Sequence, residues 1–440
     1  MKKLGMLVGL ALLLCSFRTT THADQNSIVG HWQGALLREG DELKVTADFK
    51  IEAWNLKGTI DSPATGGLGI PLIKISFESP RVHFELPPAA GGFIFDGEVK
   101  GDTIAGNLKV FGRLPATFAL KRTPTQPIAY KQEEVHFQNG ATTLAGTLMI
   151  PATEGPHPVI LLLPSSGPAT RDSSRFLADR FARLGVAALI FDKQGTGGST
   201  GDWLGASFEE LTEDALAATR FLRGRRDIKA SQIGLRGQSQ GARIAAMAAS
   251  RSKDIAFVML VAAGSLRPDQ QEERRVEYEM RRDGFSEAEI AEAVALMKSK
   301  FHFARTGEGW EKYEATTQKA QDKTYFSYLN APLSRNDPSF RFWHLINDYD
   351  PVPYWAKISR PVLAILGELD TNTPVSETVT IMEQSFKKAK NSDFTGRVFS
   401  KAEHTLFGRP ERGQWRWARF ADGYLDAMTA WLLKHVNVST

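Results

Sequence analysis

Five residues near the middle of the chain, Gly237-Gln238-Ser239-Gln240-Gly241, fit Gly-x-Ser-x-Gly and fall between a short apolar strand and an alanine-rich helical stretch. In that context such a serine acts as a nucleophile, held on a strained turn whose flanking positions leave no room for side chains. A helix beginning at Gln240 turns free N–H groups and the positive end of its dipole toward the serine oxygen. A neutral hydroxyl is a poor nucleophile, so a base must lie within hydrogen-bond reach and be oriented by an acid. In this arrangement the partners follow in the order serine, acid, histidine.

Of the nine histidines, His344, His404 and His435 lie well beyond Ser239 and outside the early part of the helical segment that follows it. His344 precedes the candidate acid and His435 ends the last helix. His404, in Ala402-Glu403-His404-Thr405, follows a strand expected over Arg397 to Ser400 and is the expected general base. The acid belongs after the preceding apolar run, in Gly367-Glu368-Leu369-Asp370-Thr371-Asn372. Asp370 is the choice, to fix the imidazole tautomer and stabilise the imidazolium. Glu368, two residues nearer the strand, is the rival. Acyl transfer also needs donors for a tetrahedral oxyanion. The backbone N–H of Gln240 is one; Ser166, in Pro164-Ser165-Ser166-Gly167-Pro168, supplies the other, with Ser165 the alternative one residue earlier.

These groups need a scaffold whose strand ends gather at one edge. Pro158 to Leu163 is a continuous apolar run of the kind a strand buried on both faces requires. Helix is expected at Ser174 to Leu184, strand at Val186 to Phe191, helix at Phe208 to Arg223, strand at Ile233 to Arg236, helix at Gln240 to Arg251 and strand at Ile255 to Val261. Such alternation predicts a mostly parallel sheet with right-handed crossovers. Strand grammar stops over 265–358 and resumes at Pro361 to Leu366, so the intervening charged and aromatic-rich stretch is expected to be a helical cap over the sheet's carboxyl edge. Most of its aromatics, Trp310, Tyr325, Phe326, Tyr328, Phe342, Trp343 and Trp355, are expected to form the cap's own core, with a few lining a substrate pocket. Ahead of all this, 24–122 alternates apolar and polar residues in short runs, as in Leu43-Lys44-Val45-Thr46-Ala47-Asp48-Phe49, and predicts a small all-β barrel or meander. Its function is either ligand binding or, more simply, folding and docking. Pro124 and Pro127 mark a linker over 123–127, and the catalytic domain is expected over 128–437.

With these motifs in order, the chain resembles the bacterial α/β-hydrolase esterases whose oxyanion loop reads Gly-Ser-Gly-Pro followed by Arg-Asp, and whose fourth-strand loop reads Phe-Asp-Lys-x-Gly-x-Gly-x-Ser. The matching stretches are Ser165-Ser166-Gly167-Pro168 with Arg171-Asp172, and Phe191-Asp192-Lys193-Gln194-Gly195-Thr196-Gly197-Gly198-Ser199. The resemblance spans roughly Ile128 to Val436 and implies an α/β-hydrolase fold and a serine esterase acting on small-molecule esters. It does not specify substrate, since relatives include carboxylesterases, acyl-peptide hydrolases and acyl-CoA thioesterases. A serine replaces the first loop glycine, and Gln238 stands where histidine is frequent before the nucleophile.

At the N-terminus Lys2 and Lys3 precede an apolar run from Leu4 to Leu14, then Thr21-His22-Ala23, so a signal peptide cleaved near Ala23 and export to the periplasm or beyond are expected. A retained anchor and lipidation at Cys15 are the alternatives; Leu14 is large for the residue before a lipidated cysteine. Cys15 is the only cysteine, so its removal excludes disulfides and cysteine nucleophiles from the mature chain. No apolar run is long enough to span a bilayer. The formal charge of +4 loses Lys2, Lys3 and Arg18 with the signal, leaving no basis for nucleic-acid binding. There is no His-Glu-x-x-His, no phosphate loop and no dinucleotide fingerprint, so no metal or cofactor is expected. The rivals to an esterase are a serine peptidase, an acyl-CoA thioesterase, which export would separate from its CoA pool, and a non-catalytic binder. Oligomeric state is not legible.

Overall fold

The computed structural model describes residues 27–125 and 127–438; the expected signal, its cleavage point and Cys15 lie outside them. The chain divides into two compact units, one of residues up to Ser62 with Gly69–Thr125, the other of Pro63–Leu68 with residues from Gln126 onward.

The first unit is antiparallel throughout. Its strands are β1 (Gly30–Arg38), β2 (Asp41–Glu52), β3 (Asn55–Ser62), β4 (Gly67–Pro71), β5 (Ile73–Glu78), β6 (Arg81–Glu85), β7 (Ile94–Lys100), β8 (Thr103–Val110) and β9 (Leu114–Thr123). They run in the order β4-β3-β2-β1-β9-β8-β7-β6-β5, and just beyond β4 the Leu72 N–H donates to the Gly58 carbonyl of β3 at 2.9 Å. The two-residue alternation places Trp32, Phe49, Phe84, Phe95 and Phe118 inside, all buried. Phe84 stacks on Phe95 at 4.5 Å, and Phe118 meets both edge-on. These rings fill the interior. An open cavity of about 630 Å³ in this unit is lined mainly by polar residues of β5 to β8, among them Arg81, His83 and Asp96.

The second unit carries the mixed sheet. Its elements in order are β10 (Tyr130–Asn139), β11 (Thr142–Pro151), β12 (His157–Leu163), α1 (Arg175–Arg183), β13 (Ala187–Phe191), α2 (Phe208–Arg223), β14 (Ile228–Gln238), α3 (Gln240–Arg251) and β15 (Phe257–Val261). Then come α4 (Pro268–Arg282), α5 (Glu287–Thr306), α6 (Trp310–Ala320), α7 (Pro338–Ile346), α8 (Val352–Trp355), β16 (Val362–Gly367), α9 (Val375–Lys388), β17 (Phe394–Phe399) and α10 (Tyr424–His435). Strand order is β10-β11-β13-β12-β14-β15-β16-β17, antiparallel from β10 to β13 and parallel from there on. Alternate residues of β12 serve opposite layers: Val159, Leu161 and Leu163 join one apolar core, Ile160 and Leu162 the other. Burying a leucine there stabilises by roughly 2 kcal/mol.

Two strands differ from expectation by more than two residues at their start. β14 begins at Ile228 rather than Ile233, because its first half carries the polar Lys229, Ser231 and Gln232 at the sheet margin beyond an irregularity opposite His157. β17 begins at Phe394 rather than Arg397; it is an edge strand, and its half-exposed residues show no apolar run. Helices α4 to α8 form an insertion between β15 and β16. Trp310, Tyr325 and Phe340 sit with Val276, Met297 and Phe301 in the insertion's own core, whereas Trp355 packs with the main core beside Phe386.

Candidate active site

The turn from β14 into α3 places Ser239 at the carboxyl edge of the sheet, with φ 54° and ψ −117°. A non-glycine residue in that region costs on the order of 1–3 kcal/mol, which the surrounding structure must offset. Its N–H is tied to the Val261 carbonyl at 2.9 Å. Both glycines of the motif are sterically required: a Cβ at Gly237 would lie 2.0 Å from the Gly241 carbonyl oxygen, and one at Gly241 would lie 2.9 Å from that of Pro164. Gln240 opens α3, so its N–H lacks an intrahelical acceptor.

His404 Nε2 stands 2.9 Å from Ser239 Oγ across 165 residues of sequence, and His404 Nδ1 stands 2.8 Å from Asp370 Oδ2. The Asp370 carboxylate is 0% exposed and the imidazole 22%, so the acid is shielded while the histidine keeps access to solvent. The second carboxylate oxygen accepts from the Asn372 N–H at 2.8 Å, which fixes its rotation. With the acceptor carboxylate on Nδ1, that nitrogen carries the ring proton and Nε2 is free to accept the serine hydroxyl's.

The acid and base loops are stitched together by backbone. The Leu369 N–H donates to the Ala402 carbonyl at 2.8 Å, and the Glu368 N–H to that of Phe399 at 2.9 Å. Glu368, the rival acid, turns away from the imidazole and accepts from Ser400 Oγ and the Lys401 N–H. Those bonds, the Lys401 N–H first, hold its carboxyl below the usual range. The rival histidines are engaged elsewhere: His344 meets the Ala304 and Arg305 carbonyls, and His435 meets Asp393 and the Trp431 carbonyl.

Ser166 lies exposed on the loop after β12. That loop and the one after β13 are clasped by residues to which sequence reasoning assigned no role. Asp192 accepts from the Arg171 N–H at 2.8 Å and the Gly198 N–H at 2.9 Å, and from the Arg171 guanidinium at 3.0 Å. Burial on its own raises the Asp192 carboxyl, but the Arg171 side chain and these N–H groups outweigh it and hold the group below the ordinary value. A Cβ at Gly197 would strike the Asp192 carboxylate at 2.4 Å. The Phe-Asp-Lys-x-Gly-x-Gly-x-Ser stretch therefore has a packing logic of its own, closed by Ser199 Oγ donating to the Asp192 carbonyl.

Residues 139–405, more than half of the chain and inclusive of all five residues singled out above, match the profile of the X-Pro dipeptidyl-peptidase family, S15. The chain belongs to the S15 family. As a member it is a serine hydrolase. The sequence resemblance pointed to esterases, whereas the matching family bears a peptidase description. No curated protein matches the chain. Among solved structures, similar folds include an esterase from Pyrococcus furiosus, 17% identical with a TM-score of 0.44 over 63% of this chain and 84% of that one. The α/β hydrolase GrgF from a Penicillium species is 17% identical, with a TM-score of 0.45 over 69% of this chain and 99% of that one. Est1E from Butyrivibrio proteoclasticus, with ferulic acid bound, is 16% identical with a TM-score of 0.42, covering 68% and 96%.

Among the described residues no helix is long and apolar enough to cross a membrane, and no cluster of three or more His, Cys, Asp or Glu could hold a metal ion.

Proposed function

We propose that this S15 member is an exported carboxylesterase with an α/β-hydrolase fold, that α4 to α8 are its cap, and that Ser239, His404 and Asp370 are its catalytic triad. The observation that carries the reading is the continuous hydrogen-bond chain from Ser239 Oγ through both imidazole nitrogens to a buried carboxylate. Ser239 attacks the ester carbonyl as His404 Nε2 takes its proton, and the oxyanion is received by the N–H groups of Gln240 and Ser166. His404 returns the proton to the departing alcohol, then activates water to release the acid from the acyl-serine. Asp370 holds the Nδ1–H tautomer throughout. The scheme calls on no cofactor, and the charge pattern of residues 1–23 supports export.

An ester rather than a peptide amine is favoured by the state of the cap's carboxylates. Glu272 and Glu279 are paired with Arg275, Asp269 with Arg305, and Glu277 and Glu287 with Arg281, which leaves these groups satisfied without a substrate ammonium. The second reading, a dipeptidyl-peptidase, is favoured by the family match and by Glu273, whose half-buried carboxyl is raised by burial. Hydrolysis of p-nitrophenyl esters from short to long acyl chains, set beside Xaa-Pro-p-nitroanilides, separates the two. The proposal expects ester turnover peaking at one chain length. Turnover of the anilides with none of the esters would overturn it in favour of the peptidase.

A further inference from the structure

The side chain of Lys193 is an ammonium with no use in the scheme above. It is 3% exposed, and among the described residues no carboxylate lies within ion-pair distance of it. Its Nζ donates instead to three uncharged oxygens: the Ser165 carbonyl, the Gly167 carbonyl at 2.9 Å and Gln240 Oε1 at 2.8 Å. Burying an unpaired charge is costly, so a structural role alone would be served better by an uncharged side chain.

What the three acceptors have in common is the oxyanion. In a planar trans peptide the C=O and the following N–H point in opposite directions. An ammonium that holds the Ser165 carbonyl inward therefore holds the Ser166 N–H facing the other way. The Gly167 carbonyl, taken by the same ammonium, stops the loop from rotating about that plane. The third bond pins the side chain of Gln240, whose backbone N–H is the other donor. One group thus holds the Ser166 peptide from behind and bonds the side chain of the residue that carries the other donor, and its positive charge reinforces the field where negative charge develops.

We propose that Lys193 is a positioning residue that sets the Ser166 and Gln240 N–H groups in register for the oxyanion, an inference that rests on the serine-hydrolase assignment of Ser239. Charge is part of the device, so the device has a pH limit. Burial pushes the Lys193 ammonium down to about 8, and above that pH one donor and the charge are lost. The groups facing it are the Ser165 and Gly167 carbonyls, the neutral Gln240 amide and, across a small cavity lined by Leu163, Phe191 and Ile244, Asp214 on α2. Asp214 is raised to about 6 by burial, so it does not titrate in the alkaline range. Asp192, next in sequence, is committed to Arg171.

The test is steady-state hydrolysis of p-nitrophenyl acetate by the full-length mature chain and by Lys193→Met, from pH 6 to 10 and corrected for spontaneous hydrolysis. Misplaced donors are expected to lower kcat by roughly 10- to 100-fold with KM changed less than about threefold. The wild-type kcat is expected to fall as pH rises through about 8, and that limb to be absent from the variant. A Lys193→Met kcat within about twofold of wild type, or the same alkaline fall in both proteins, overturns the proposal. Should the variant not fold, a wild-type kcat that stays flat to pH 10 overturns it alone. Fluorophosphonate labelling of wild-type Ser239 runs alongside: its failure would sink the nucleophile assignment, a result distinct from labelling that proceeds equally with and without Lys193.

Discussion

Gly367 passes so close to Ala402 that a Cβ on the glycine would stand 2.5 Å from the Ala402 carbonyl oxygen. The contact lies at the end of β16, three residues before Asp370 and opposite the loop that carries His404, and it lets the acid and base loops share backbone hydrogen bonds. Gly367→Ala is expected to push the loops apart, lowering kcat by roughly 10- to 100-fold and costing about 1–3 kcal/mol of stability. A variant with wild-type kcat would show that the loop spacing is not what holds His404 in place.

Asp370→Asn keeps the shape of the acid but offers Nδ1 the wrong partner. Ester turnover is expected to fall on the order of 10³- to 10⁴-fold. Glu368→Gln alters a side chain that accepts from Ser400 Oγ and the Lys401 N–H, and should leave kcat within about twofold of wild type. The reverse ranking would make Glu368 the acid.

The pair of buried Asp192 and half-buried Arg171 should be felt as stability. Arg171 keeps Glu134 as a partner at 2.6 Å, so Asp192→Asn loses the charge-assisted bonds without stranding the guanidinium and is expected to cost about 1–3 kcal/mol in urea denaturation at neutral pH. The folded-state pKa of Asp192 is depressed, so its contribution is present above the unfolded value of about 4 and lost as pH falls through the lower folded value. The stability difference between wild type and variant should therefore shrink on acidification; a constant difference would contradict the assignment.

Asp214 has the opposite sign. Burial raises its carboxyl to about 6, against the opposing hydrogen bond from Asn139, which donates to Oδ1 at 2.8 Å. Between about pH 4 and 6 the folded state holds a proton that the unfolded chain has released, so stability falls as pH rises through that window. Asp214→Asn is expected to flatten that slope and to raise stability at pH 7 by on the order of 2 kcal/mol. A less stable variant at pH 7 would mean that the charge is compensated.

Ser239, Asp370 and His404 were legible because each is marked by local pattern: a glycine-flanked serine before an alanine-rich helix, and an acid and a histidine after strands. The all-β segment was legible through strict alternation, as in β2. What was not legible was held by partners remote in sequence. Lys193 reaches acceptors 26, 28 and 47 residues away, and nothing around it announces burial. Gly367 looks like any glycine closing a strand until the Ala402 loop is laid beside it. The start of β17 was missed because an edge strand half in solvent need not show an apolar run. The insertion's aromatics divide between two cores, with Trp355 serving the main one, a split that depends on the helix packing rather than on composition.

The most direct test of the account is to treat the mature chain and Ser239→Ala with a fluorophosphonate and locate the adduct by peptide mass spectrometry, measuring p-nitrophenyl ester turnover in parallel. The account predicts one phosphonyl group per chain, on Ser239, with turnover abolished in step, and neither label nor turnover in the variant. A label on another residue, or ester turnover that survives in Ser239→Ala, would contradict it.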